Sequence, residues 1–260
     1  MRISTFYLSI VVSIAFSSCA DFMDSNADFD PMHYNNELSE WLCTYNDCDI
    51  NNEACTYISI RYPHFLDIED SVLNKIDRAV VHLVLGDEAS DPKNLCDQFI
   101  DDYDAFVNDS INLEEEYSLA WYDQREGEWI SIQKRVLSFR CVISSFYGGA
   151  HPNEYVYLRN FDPQSGDSLG LGMIFDEAAL EELTALGEKS FRKKYNIAKE
   201  ESLDSKGYWF ENNLFELTTN FAFTDQGLLF YYNSYEIGPY SMGYSEIILP
   251  YSLIMHLFHE

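Results

Sequence analysis

Positive charge is what this chain has least of: 16 lysines and arginines stand against 44 aspartates and glutamates, a formal net charge of −28 over 260 residues. Nucleic acid is thereby excluded as a partner class, since binding phosphates needs a basic surface. Direct docking on anionic lipid is disfavoured for the same reason. No apolar run reaches the about 20 residues that a membrane-spanning helix needs. There is no solenoid period, no HExxH and no nucleophile elbow, and no cysteine pair has the short gap that structural zinc sites favour. Asp47, Asp49, Asn51 and Glu53 alternate like the start of a calcium loop. Asn52 stands where that loop needs glycine and Ile58 where it needs the bidentate glutamate, which excludes an EF-hand. No metal, no cofactor and no complete catalytic set is expected.

What is present begins with an export signal. Residues 1–18 carry Arg2, an apolar stretch from Phe6 to Phe16, then Ser17 and Ser18 directly before Cys19. Small residues before a cysteine have the form of a bacterial lipoprotein processing site, so Cys19 is the expected point of lipid attachment and the acyl group the expected membrane anchor. The expected location is the cell envelope, anchored to the outer membrane on its periplasmic or surface side. Residues 19–34 are acidic and aperiodic, which suits a tether. The folded part then divides into 35–144 and 145–260.

Five cysteines remain. In an oxidising compartment the close trio Cys43, Cys48 and Cys55 can supply one disulfide, with the pairing open, and Cys141 in an apolar run reads as a small core residue. Alternating residues from Ala54 to Tyr62 predict a strand that Pro63 ends. Helical spacing predicts helices over 71–85, 94–108 and 176–195, the last capped by Asp176. Strands are expected at 117–122, 129–136 and 137–147, with a polar turn over 123–128, and again at 153–161. The DPQSGD turn leads into a short extended segment over 169–174, and 215–224, 228–232 and 246–250 complete the strands. The sum is an α+β fold of two intimately packed subdomains, with antiparallel sheets and helices on one face.

Two stretches attract functional attention. In SFYGGAHPN, Gly148 and Gly149 permit positive φ at a strand end, Tyr147 precedes them, and Pro152 holds His151 extended. His151 either faces a ligand or bonds to backbone and locks the turn. Downstream, Tyr235, Glu236, Pro239, Tyr240 and Tyr244 lie in a loop whose tyrosines offer rigid apolar area with a polar tip, suited to recognition or to covering the sheet. A second class of reading makes the protein a hydrolase of wall glycans or peptides, with His151 and Asp225 or Glu236 as acid and base; it requires those groups to share one open cleft.

The ordered segments SFYGGAHPN, NFDPQSGDSL, FAFTDQGLLFYYNSYEIGPYSMG and ILPYSLI resemble the RsiV/PdaC-like extracytoplasmic domain, most strongly from Ser145 to Leu253 and more loosely back to Ile58. That unit occurs in a lysozyme-sensing anti-sigma factor and beside the catalytic domain of a peptidoglycan deacetylase. The resemblance implies a compact α+β fold in two parts, with catalysis lodged elsewhere. It also implies binding of a protein or wall ligand. Lysozyme is a basic protein, so a lysozyme-like hydrolase suits the acidic balance, and cell-wall fragments are the other expected partner.

Overall fold

A computed structural model describes residues 36–65, 71–86, 91–112, 120–133 and 135–258. The signal, Cys19 and the tether lie outside the described residues. The architecture is α+β, built on a five-stranded and a three-stranded sheet. The first sheet runs in the order β1 (Asn36–Thr44), β2 (Tyr57–Phe65), β3 (Tyr122–Gln133), β4 (Val136–Phe146), β5 (Asn153–Phe161). The second joins β6 (Phe221–Thr224), β7 (Gly227–Tyr232) and β8 (Ser245–Pro250). All pairings are antiparallel except β2 with β3, which is parallel because helices α1 (Ser71–Leu85) and α2 (Pro92–Asn112) cross over between them. The expectation of wholly antiparallel sheets is corrected at that one pairing.

Side-chain alternation sorts the layers. On β4, Leu137, Phe139 and Cys141 face the two crossover helices and share a core with Ile58, Ile60, Ile76, Val80 and Phe99. Val136 and Val142 face the other way, toward the second sheet. The outer face of that sheet is covered by α4 (Glu177–Lys194), whose Leu183 and Phe191 are fully buried. Each sheet therefore carries its helices on one face and meets the other sheet on the opposite one. Asp176 caps α4 as expected, its carboxylate accepting the Ala179 N–H at 2.8 Å.

Several boundaries differ from expectation, each for a physical reason. The expected turn at 123–128 is the middle of β3. On its helix side this stretch carries a buried ion pair, Asp123 with Arg125, and Gly127, where a Cβ would stand 2.6 Å from the Phe139 ring. Its other side carries Gln124 and Glu126, so no apolar alternation marks the strand. Pro63 does not end β2, which continues to Phe65. Pairing with β3 stops at Arg61, and a strand with one partner tolerates a proline. Residues 171–174 form a one-turn helix, α3 (Leu171–Ile174), not an extended segment, and β6 starts at Phe221 rather than 215. The division at 145 falls inside β4, and the first sheet runs on to Phe161.

Two disulfides form: Cys48 with Cys55, and Cys43 with Cys96, which fastens the edge strand β1 to α2. Cys141 is free and fully buried, and burial pushes its thiol up to about 12, leaving it unreactive. The Asp49 carboxylate accepts both the backbone and the side-chain N–H of Asn51, an Asx turn where the calcium-like alternation stood.

Candidate binding cleft

The cleft forms where the β4–β5 connection meets the loop after β7. Gly148 and Gly149, at φ 79° and 120°, turn the chain out of β4. His151 follows and stacks on Tyr240, with ring centroids 3.6 Å apart and planes 14° from parallel. Two groups converge on the Pro152 carbonyl: the Tyr240 hydroxyl donates at 3.0 Å and His151 Nδ1 lies at 2.9 Å. A carbonyl can only accept, so Nδ1 carries a proton, and in the neutral ring Nε2 accepts from the Tyr235 hydroxyl at 3.3 Å. Of the two uses of His151 considered from sequence, these contacts are those of the turn lock: it bonds to backbone and backs Tyr240, which lines the cleft.

The loop is set from below. Glu236 accepts from the Thr218 hydroxyl at 2.7 Å and from the Asn233 N–H at 2.8 Å, so both its oxygens hold the turn and neither is aimed at a ligand. That turn forces Tyr235 to φ 69°, a left-handed conformation uncommon for a bulky residue, and leaves its side chain 50% exposed. Pro239 leads into the short 3-10 turn Tyr240–Met242, and Gly243 at φ 69° releases the chain toward β8. Tyr244, 53% exposed, stacks on the buried Tyr231 at 4.9 Å. The resulting cleft has a volume of ≈ 580 Å³, and Tyr240, Tyr244 and Met242 form one wall of it. The opposite side is Tyr122, Ser144 and Glu154 from the first sheet together with Pro152.

His151, Tyr235, Pro239, Tyr240 and Tyr244 are thus brought together. Tyr147 is not among them. Its side chain turns to the helix side, where the hydroxyl donates to Asp123 at 2.6 Å and the ring packs on Trp121 and Phe99. Burial and then the Asp123 charge hold that phenol above its ordinary value. Asp225 sits in the β6–β7 turn, so β7 separates it from the Tyr235 loop by roughly 17 Å at about 3.4 Å per residue. His151, Asp225 and Glu236 therefore do not share a cleft. Among the described residues no group of three or more His, Cys, Asp or Glu is placed to hold a metal ion. No described helix is long and apolar enough to cross a membrane.

Sequence reasoning missed Tyr122, Ser144, Glu154 and Met242, which complete the cleft. Tyr122, Ser144 and Glu154 occupy cross-strand neighbouring or near-neighbouring positions, a relation set by register and invisible without it.

The geometry is that of an α+β module with an aromatic-walled cleft, and comparison with known proteins defines it further. Residues 50–154 match the family described as deacetylase PdaC, and residues 173–252 match a protein family of unknown function, DUF3298. The chain carries a PdaC/DUF3298-like extracytoplasmic domain. A crystal structure of a DUF3298-family protein from Bacteroides fragilis NCTC 9343 superposes with a TM-score of 0.69 at 21% identity, covering 86% of this chain and 93% of the other. A second, from Pseudomonas aeruginosa PAO1, gives 0.59 at 16% identity over 86% and 94%. At these identities the likeness is one of fold. No curated protein is significantly similar in sequence.

Proposed function

We propose that the protein is a lipid-anchored binding module of the cell envelope, held at the outer membrane through Cys19, that recognises a basic protein such as a lysozyme-like hydrolase at the cleft beside the Tyr235–Tyr244 loop. The observation that carries this reading is the aromatic group itself. Tyr235, Tyr240 and Tyr244 are fixed by backbone and ring contacts, and Tyr235 and Tyr244 remain about half exposed. Rigid, half-exposed tyrosines at a concave site are what a recognition surface needs, because little side-chain entropy is lost on binding. The acidic balance of the chain favours a cationic partner and speeds its approach. The hydrolase reading loses its support from geometry, since β7 separates Asp225 from His151 and both Glu236 oxygens are taken by the turn.

Titration of the mature protein with a c-type lysozyme, followed calorimetrically, tests the proposal. Wild type is expected to bind and Tyr240→Ala to bind at least about tenfold more weakly. Absence of binding by wild type, or equal binding by the variant, removes the cleft from the account.

A further inference from the structure

The second sheet lies over β3, β4 and β5, and among the described residues no element covers the same face of the first sheet toward β1 and β2. Register defines what stands there. Tyr57 on β2, Tyr122 on β3 and Phe146 on β4 are direct cross-strand neighbours. Their rings form a row, with centroids 6.2 Å and 6.3 Å apart and planes 21° and 30° from parallel. On β1 Thr44 stands opposite Tyr57, and Leu42, opposite Ser59 on the same face and diagonal to Tyr57, is 54% exposed. Tyr122 also lines the cleft, so the row runs out of the cleft floor without interruption.

The charges of this face are unequal. Each arginine on it is already held by a glutamate: Arg61 by Glu40 at 2.9 Å and Arg140 by Glu128 at 3.1 Å. Glu126 on β3 and Glu154 on β5, level with Val142 and Ser144 of β4 and so on the same side of the ring row, are exposed and pair with no cation among the described residues. This face therefore carries a row of rings with an anionic strip along one side of it.

We infer that this half-face is part of the partner-binding surface and that its occupant is a cationic polypeptide surface. Lysine or arginine stems lie over the tyrosine rings, and their charged ends reach Glu126 and Glu154. A neutral glycan would use the rings and have no need of the two carboxylates. The inference rests on the binding function proposed above and enlarges its footprint from the cleft to the sheet.

The test uses the full mature chain with a c-type lysozyme as cationic probe and soluble muropeptides as the glycan probe. Glu126→Lys and Tyr57→Ala are compared with Tyr240→Ala and with Asp101→Lys, an equal charge change on the exposed side of α2. Glu126→Lys is expected to weaken lysozyme binding at least about tenfold, Tyr57→Ala several-fold, and Asp101→Lys hardly at all. Thermal melts confirm that each exposed substitution leaves the fold intact. Wild-type affinity in both sheet variants alongside loss in Tyr240→Ala overturns the sheet surface and leaves the cleft standing. An equal loss in Asp101→Lys reduces the effect to overall charge and overturns it too. Muropeptide binding that depends on Tyr57 and is indifferent to Glu126 overturns the polypeptide occupant, as does a wild type that binds no lysozyme.

Discussion

His151 is held on three sides, by the Tyr240 ring, the Pro152 carbonyl and the Tyr235 hydroxyl, so its imidazole organises the cleft wall whether or not it touches a ligand. Tyr235 shows the cost of that wall. Its φ of 69° is maintained by the Asn233–Glu236 turn, and a residue without a Cβ takes that conformation without strain. Tyr235→Gly is expected to leave stability unchanged or raise it by up to about 1 kcal/mol in chemical denaturation, while weakening partner binding. A second residue with a readable signature is Asp77, buried in α1, where its carboxylate accepts the Phe65 N–H at 2.9 Å and His64 Nδ1 lies 3.1 Å away. Burial raises its pKa, opposed in part by that N–H and by His64. The folded state therefore keeps a proton that the unfolded chain has already lost. The associated stability is complete below the ordinary carboxylate value and is lost as pH rises through the raised one. Asp77→Asn removes this dependence and keeps an acceptor for Phe65, so variant stability relative to wild type is expected to climb from about pH 4 to about pH 7 in urea titrations. A constant difference across that range would contradict the burial argument.

At the scale of elements, the two sheets are joined through their edges. β5 is an outer strand of the first sheet, and its outward backbone groups are taken by asparagine side chains: Asn220 accepts the Leu158 N–H and donates to the Val156 carbonyl, and Asn233 accepts the Val156 N–H. In return, Ser138 and Asn160 bond to Phe223 N–H and Phe221 C=O on β6, the edge of the second sheet. Asn220→Ala leaves several of these groups unpaired and is expected to cost about 2–3 kcal/mol in denaturant unfolding. The disulfides act on loops of different length. Chain entropy predicts that opening Cys43–Cys96, which spans 53 residues, costs about 4 kcal/mol, against about 2.5 kcal/mol for Cys48–Cys55, which spans 7. Elements with one solvent face were legible in the sequence: α4 with its Asp176 cap and β5 stand where periodicity puts them. The middle of β3, residues 123–128, was not legible, because its helix side is filled by an ion pair and a glycine, and β1 was not, because this largely exposed edge strand has no apolar alternation. The trio of cysteines gave one pair, while Cys43 found its partner across the fold in Cys96.

For the whole molecule, the layers explain why the cleft lies where it does. Two helices, two sheets and α4 stack in sequence, and the smaller sheet spans only part of the larger one, with the Tyr235–Tyr244 loop at the boundary. The loop residues were legible as a tyrosine cluster; the sheet residues opposite them were not, because only strand register brings Tyr122 and Ser144 to the loop. Net charge acts at this scale as well. A cationic partner is expected to associate more slowly as salt rises, with its dissociation rate changing much less, which stopped-flow mixing at several ionic strengths resolves. Where the partner sits is settled by amide hydrogen exchange of the mature chain with and without bound lysozyme. Protection is predicted over residues 233–244 and at 151–154; protection confined to the exposed side of α2, or none in the Tyr235–Tyr244 loop, would contradict the proposed site.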